Sequence, residues 1–188
     1  MKIYNTRIDL VKDLVNTSSI CVEMGVLYGS YAQHIFNQNP KQLYLVDLWN
    51  SSMPCGDEDG NDLKWYDHEY CLTEVKRKFA NKENVIIEQK NSVLFLKECE
   101  DNFFNFIYID TTHSYYDTLL ELELSYLKCK PNGYICGHGF DLNPDRCKGY
   151  YEFYVDKAVY EFCYKYNQKI FGIAMDGCSS FVIKKSGN

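Results

Sequence analysis

The sequence predicts an α/β fold: a doubly wound, mostly parallel sheet of seven strands with helices on both faces. Three observations carry this. Short apolar runs alternate with amphipathic stretches along the chain, the pattern of β-α units. The run at 106–110 is apolar throughout and ends in a carboxylate, as a strand buried on both faces should. At 188 residues the chain suits one domain spanning 1–188, and no stretch suggests a second folding unit.

The elements follow in order. Ile8, Val11, Leu14 and Val15 share one face of an opening helix. Residues 19–23 read as the first strand, after which Gly25 and Gly29 lead into a helix through His34. Residues 43–47 are the second strand, and the acidic loop at 56–62 has neither period. Leu72, Val75 and Phe79 mark the next helix, 84–88 a third strand and 106–110 a fourth. Ser114 caps the following helix with Asp117 three residues on, and Tyr116, Leu120, Leu124 and Leu127 supply its buried stripe. Pro131, Asn132 and Gly133 end that helix and start a fifth strand through Gly137. Val155, Val159, Phe162 and Tyr166 repeat at helical spacing, and strands at 169–174 and 179–184 complete the sheet.

The bulk numbers exclude several classes of function. A formal charge of -6 without a Lys/Arg cluster gives no field to gather polyanions, which argues against nucleic-acid binding. No apolar run is long enough to cross a bilayer and the first residues lack the apolar core of a signal peptide, so a soluble cytoplasmic protein is expected, with no membrane partner. Nine scattered cysteines without C-x-x-C spacing read as free thiols in a reducing compartment. The 17 tyrosines and 11 phenylalanines suit an aromatic pocket wall for a small molecule, and a homo-oligomer is left open.

In an open α/β sheet, ligands bind beyond the carboxyl ends of the strands. Glu23-Met24-Gly25-Val26-Leu27-Tyr28-Gly29 places an acid and two glycines between a strand and a helix, where backbone can turn sharply and approach a ligand. Its G-x-x-x-G spacing lacks the close glycines of a dinucleotide site. Asp47 can accept hydrogen bonds from both hydroxyls of a ribose, though such an acid also caps helices. Asp110-Thr111-Thr112-His113 puts a carboxylate and an imidazole at the rim, suited to proton removal from a hydroxyl. His138 occupies a neighbouring rim position, with a buried structural histidine as the other reading.

Taken together, Val22 to Gly25 with Gly29, Leu45 to Trp49, Tyr108 to Tyr115, and Lys130 to His138 resemble class I S-adenosylmethionine-dependent methyltransferases. Within that Rossmann-like class they are most similar to small sugar and antibiotic O-methyltransferases and cephalosporin-hydroxylase-like proteins. Tyr154 to Phe162 looks like the helix that follows in that branch. The resemblance implies methyl transfer from S-adenosyl-L-methionine to a hydroxylated small molecule such as a sugar. It implies that Glu23, Gly25 and Gly29 surround the methionine part, Asp47 the ribose, and Asn91 and Ser92 the adenine, with Tyr28, Leu48 and Asp110 also at the cofactor. It places His113, Asp110 and His138 in catalysis.

In that branch the G-H pair is usually followed by an aspartate that, with the D-x-x-H aspartate, can hold a divalent cation such as Mg²⁺. Here Gly139 stands at that position and the next carboxylate is Asp141, which leaves the metal unknown. The acidic loop around Asp57 and Asp59 supplies no substitute, since its glycine is misplaced for an EF-hand. Gly139 also raises the alternative of a non-catalytic adenosylmethionine-binding or interaction module. An NAD-dependent oxidoreductase is opposed by the glycine spacing, and its one cue, Tyr126 with Lys130, lies at a helix end beside Pro131. Base-methylating enzymes carry an Asn/Asp-Pro-Pro-aromatic run where this chain has two threonines after Asp110.

Overall fold

The computed structural model describes residues 1–50, 55–56, 63–64, 67–140 and 154–187. The acidic loop with Asp57 and Asp59, and Asp141, lie outside the described residues. The elements are β1 (Lys2–Tyr4), α1 (Arg7–Leu14), β2 (Ile20–Met24), α2 (Ser30–Phe36), β3 (Gln42–Asp47), the short pair β4 (Cys55–Gly56) and β5 (Leu63–Lys64), and α3 (His68–Lys78). Then come β6 (Val85–Gln89), α4 (Ser92–Glu98), β7 (Phe104–Ile109), α5 (Tyr115–Lys128), β8 (Cys129–Gly137), α6 (Val155–Lys165), β9 (Ile170–Ala174) and β10 (Ser180–Lys184).

Eight strands form the main sheet in the order β1-β9-β10-β8-β7-β2-β3-β6. The predicted seven are all present, and β1 adds an edge strand parallel to β9. Only β10 runs antiparallel, against β8 and β9. From β2 the chain winds outward through β3 to β6, and from β7 it winds the other way through β8. The order therefore reverses between β2 and β7, and a crevice opens beyond their carboxyl ends.

Strand alternation sends side chains to both faces, and helices cover each. Cys21, Phe106 and Tyr108 join Leu10 and Val11 of α1, Tyr31 and Ile35 of α2 and Val75 of α3. Val22, Met24, Ile107 and Ile109 join Phe95 of α4, Leu122 of α5 and Phe162 of α6. Phe104 and Phe106 fall in different clusters, and the pairing of β7 with β8 is irregular between them, two residues of β7 standing against five of β8.

Helix α5 corrects one expectation. Its cap is as predicted, with Ser114 Oγ accepting from the Asp117 amide, but the stripe is rotated. Thr118, Glu121, Leu122, Ser125 and Lys128 face inward, while Tyr116, Leu120 and Leu127 are 81%, 41% and 50% exposed. The cause is polar. Ser92 Oγ and Thr111 Oγ1 donate to the two oxygens of Glu121, at 2.5 and 2.7 Å, and these bonds turn the small, polar side of the helix towards α4 and the end of β7. An apolar count cannot see a phase set by hydrogen bonds.

Burial raises the Glu121 carboxyl to about 7, against the two hydroxyl bonds that favour its charged form. The folded chain thus holds this proton more tightly than the unfolded chain, and stability falls as pH rises from about 4.5 to about 7. Glu121→Gln should match the wild type at pH 4.5 and exceed it at pH 8 by on the order of 3 kcal/mol. Urea unfolding of both proteins at the two pH values measures this; a constant difference between them would place the charge elsewhere.

Candidate functional site

The crevice is built first by backbone. Gly25, at φ 86°, follows β2 so closely against β7 that a Cβ there would lie 1.8 Å from the Asp110 carbonyl oxygen. Its amide donates to Val46 O at 2.9 Å. The next two amides, of Val26 and Leu27, donate to Asp47 Oδ2 at 2.8 and 2.9 Å, while Asp47 Oδ1 accepts the Trp49 amide at 3.0 Å. Trp49 Nε1 closes the loop by donating to Leu27 O at 2.7 Å. Lys78 Nζ, from α3, donates to the carbonyls of Tyr28 and Gly29. Gly29 begins α2 at φ 76° and faces Val75 and Phe79. Packing thus requires glycine at 25, while at 29 it is the positive φ that favours it.

Backbone strain gathers at the same edge. Among the described residues eight non-glycine positions have positive φ; five are asparagine, which tolerates it, and the others are Leu27, Trp49 and His113. Leu27 and Trp49 belong to the loop just described, and His113 follows β7 by four residues. Such conformations cost roughly 1–3 kcal/mol each and persist where the surroundings over-determine them.

The side chains are titratable. Glu23 is 2% exposed and its Oε2 has no hydrogen-bond partner. Burial, then the charge of Asp110, pushes its carboxyl well above the ordinary range. Asp110 Oδ1 lies 3.1 Å from His113 Nε2 and 3.5 Å from His138 Nδ1, and Oδ2 lies 3.6 Å from Arg7 Nη1. Burial works against its charge, yet the charge of His138 and the hydrogen bonds of both imidazoles outweigh burial and hold the carboxyl far below its usual value. The Arg7 guanidinium rests on the Tyr31 ring, 5.2 Å from its centroid.

No family model and no curated protein sequence matches the chain. Solved structures do. A candidate methyltransferase from Streptococcus mutans in complex with SAH superposes with a TM-score of 0.64, at 13% identity over 95% of both chains. An O-methyltransferase family protein from Burkholderia thailandensis gives 0.67 at 11% identity, over 97% of this chain and 56% of that one. The N-methyltransferase NodS of Bradyrhizobium japonicum gives 0.64 at 11%, over 96% and 94%. The fold is that of the class I methyltransferases.

On this methyltransferase fold the predicted residues converge unevenly. Glu23, Gly25, Asp47, Asp110, His113 and His138 meet at the carboxyl ends of β2, β3, β7 and β8, with Tyr28 and half-exposed Leu48 beside them. Asn91 and Ser92 stand after β6, but Asn91 Oδ1 accepts the Val93 and Leu94 amides as the cap of α4, and Ser92 holds Glu121. Sequence reading missed Arg7, which carries no motif signal, and Glu121 and Lys78, which act on the loops from beneath.

The described residues do not fit the magnesium site of the resembled branch. Asp110, His113 and His138 bring donor atoms within 4.8 Å of one another, but two imidazoles and one carboxylate are a poor set for a hard cation that prefers oxygen. Position 139 cannot supply the second carboxylate: Gly139 has φ 75°, and a Cβ there would lie 2.5 Å from the His113 ring.

Replacing Gly25 tests the close approach of β2 and β7. Gly25→Ala should destabilise by at least about 2 kcal/mol through strain plus overlap. Gly177→Ala, also at positive φ but with nothing within 4 Å, should cost only about 1 kcal/mol. Equal losses in thermal unfolding would show that overlap with Asp110 contributes nothing.

Proposed function

We propose that the protein is an S-adenosylmethionine-dependent methyltransferase that methylates a hydroxyl group of a small molecule, a sugar or a similar polyol. The observation that carries the reading is Glu23. A fully buried carboxyl with an unsatisfied oxygen, placed where the strand order reverses, is costly to the fold unless a ligand completes it. An ammonium group completes it well, and the cofactor carries one on its methionine part.

The remaining residues divide the work. Backbone amides occupy three of the roughly four acceptor sites of Asp47, leaving one on Oδ1 for a ribose hydroxyl. Asp47 thus shapes the glycine turn and meets the nucleoside with the same carboxylate. When bound, S-adenosylmethionine supplies a methyl group already activated on sulfonium, so the chain's task is alignment and proton handling. His113 directs Nε2 to Asp110 and packs its ring on Gly139, which fixes Asp110. His138 turns Nδ1 to the same oxygen and keeps Nε2 for the acceptor's proton, the relation of an orienting carboxylate to a general base. The hydroxyl acceptor and the cytoplasmic setting rest on the resemblance and the composition.

Thermal unfolding with S-adenosylmethionine, SAH or NAD tests the cofactor. At about 100 times its dissociation constant an adenosyl ligand should add ~2.7 kcal/mol, NAD nothing, and EDTA should leave the shift unchanged. Absence of any shift with SAH would sink the reading. In an assay of SAH release over a panel of sugars and phenols, His138→Ala should lower turnover roughly 10²–10⁴-fold while SAH binding stays as it was. Loss of binding together with turnover would make His138 structural.

A further inference from the structure

We infer that Asp110, His113 and His138 bind a divalent transition-metal ion such as Zn²⁺, Co²⁺ or Ni²⁺, and that an ion held there withdraws His138 from proton transfer. The donors set this site apart from the magnesium site of the resembled branch. That one needs a second carboxylate, for which position 139 has no room, whereas this one takes two imidazole nitrogens. The first half of the inference rests on geometry and donor chemistry alone, the second on the role given to His138 above.

Donor atoms bound to one ion at about 2.0–2.1 Å stand roughly 3–3.4 Å apart at octahedral or tetrahedral angles. Asp110 Oδ1 lies 3.1 Å from His113 Nε2 and 3.5 Å from His138 Nδ1, and all three atoms fall within 4.8 Å of one another. Small turns of the two rings therefore bring the set onto one ion. Both rings are placed by backbone. The His138 amide donates to Ile109 O at 3.0 Å, prolonging the pairing of β8 with β7, and the His113 carbonyl accepts the Tyr154 amide at 3.2 Å. The side chains of His113, Asp110 and His138 are 16%, 20% and 20% exposed, enough for an ion to reach them from solvent. Charge then selects the ion. Asp110 is the one carboxylate of the set, and Arg7 Nη1 lies 3.6 Å from its other oxygen, offsetting its charge. A hard cation held mainly by charge gains little here, while a transition metal gains two bonds to imidazole nitrogen. Three protein donors leave a position for water, as in accessible zinc sites. The ion takes the Nδ1 electron pair of His138, and the proton that Nδ1 carried moves through solvent to Nε2. That nitrogen then has no pair left to accept a proton from an acceptor hydroxyl.

Calorimetric titration of EDTA-treated, dialysed protein with Zn²⁺ and with Mg²⁺ tests the site. A single equivalent of Zn²⁺ should bind at least about a hundredfold more tightly than Mg²⁺. His113→Gln and His138→Gln should each weaken Zn²⁺ by roughly tenfold or more, and His34→Gln should leave it as it was. The nine cysteines are the competing ligands. X-ray absorption on wild-type protein loaded with one equivalent of Zn²⁺ should therefore show imidazole nitrogen and oxygen donors and no sulfur, a reading that needs no variant to fold. Sulfur donors, equal affinity for the two ions, or indifference to both histidine substitutions would overturn the site. In the SAH-release assay Zn²⁺ should lower turnover in step with occupancy, while SAH binds within about twofold of its metal-free affinity. Turnover unchanged by bound Zn²⁺ would overturn the inhibitory half and leave the site. If SAH does not bind at all, the methyltransferase reading falls and the inhibitory half with it, while the titration and the absorption spectrum still decide the site.

Discussion

The site depends on how closely β2 and β7 approach where they end. These two strands are neighbours in the sheet but belong to halves of the chain that wind apart. The Asp110 amide, donating to Met24 O at 2.8 Å, carries their pairing one residue past β7 and brings the Asp110 carbonyl against Gly25, where no Cβ fits. This contact forces glycine at position 25 and sends the next residues over the end of β3. There, Asp47 receives two successive amides and fixes the turn that begins α2. Glu23, Asp47 and Asp110 thereby end on one rim, three carboxyl groups that an unconnected set of strand ends would not keep so close.

Such a concentration of acids is unfavourable in isolation, and the structure relieves it differently for each. Asp47 is satisfied by backbone amides. Asp110 keeps its charge because imidazoles and a guanidinium surround it, outweighing its burial. Glu23, fully buried and beside the charge of Asp110, has its carboxyl pushed well above the ordinary range although Arg7 and Lys78 act in the opposite direction. The rim therefore contains one acid for structure, one for orientation and one left incomplete. Only Glu23, of the three, keeps a buried oxygen with no hydrogen-bond partner among the described residues. The strained Leu27, Trp49 and His113 along the same rim agree with this, since strain concentrated at one edge is maintained by the surrounding packing and is not expected from chance.

Much of this is legible in the sequence, for physical reasons that also mark where legibility stops. Strands β2, β3 and β7 are largely buried on both faces and have a carboxylate within one residue of their ends, so their runs and their rim residues stand out together. Strand β1 does not, because two of its three residues are exposed and it pairs only at the sheet edge. Helix α4 is seven residues long with two buried side chains, too few for a period to emerge. Helix α5 is legible in its cap and misleading in its phase, since Ser92 and Thr111 hold Glu121 inward and leave Tyr116, Leu120 and Leu127 outside. Arg7 is invisible because its importance lies in what α1 is placed against, a tertiary fact with no local pattern.

Gly139 shows how a departure from a resembled pattern gains meaning only in three dimensions. On the sequence it reads as the loss of a metal-binding carboxylate, and so as a hint that catalysis is lost. In the structure the space a side chain would take is filled by the His113 ring, which uses it to bring Nε2 to Asp110. A carboxylate at 139 and this placement of His113 exclude each other sterically. Asp110 accordingly meets two imidazoles and no second carboxylate among the described residues. An aspartate pair concentrates negative charge and suits a hard cation, whereas one aspartate between two histidines fixes their orientation and suits proton transfer. The glycine thus makes the room that the His113 ring takes beside Asp110.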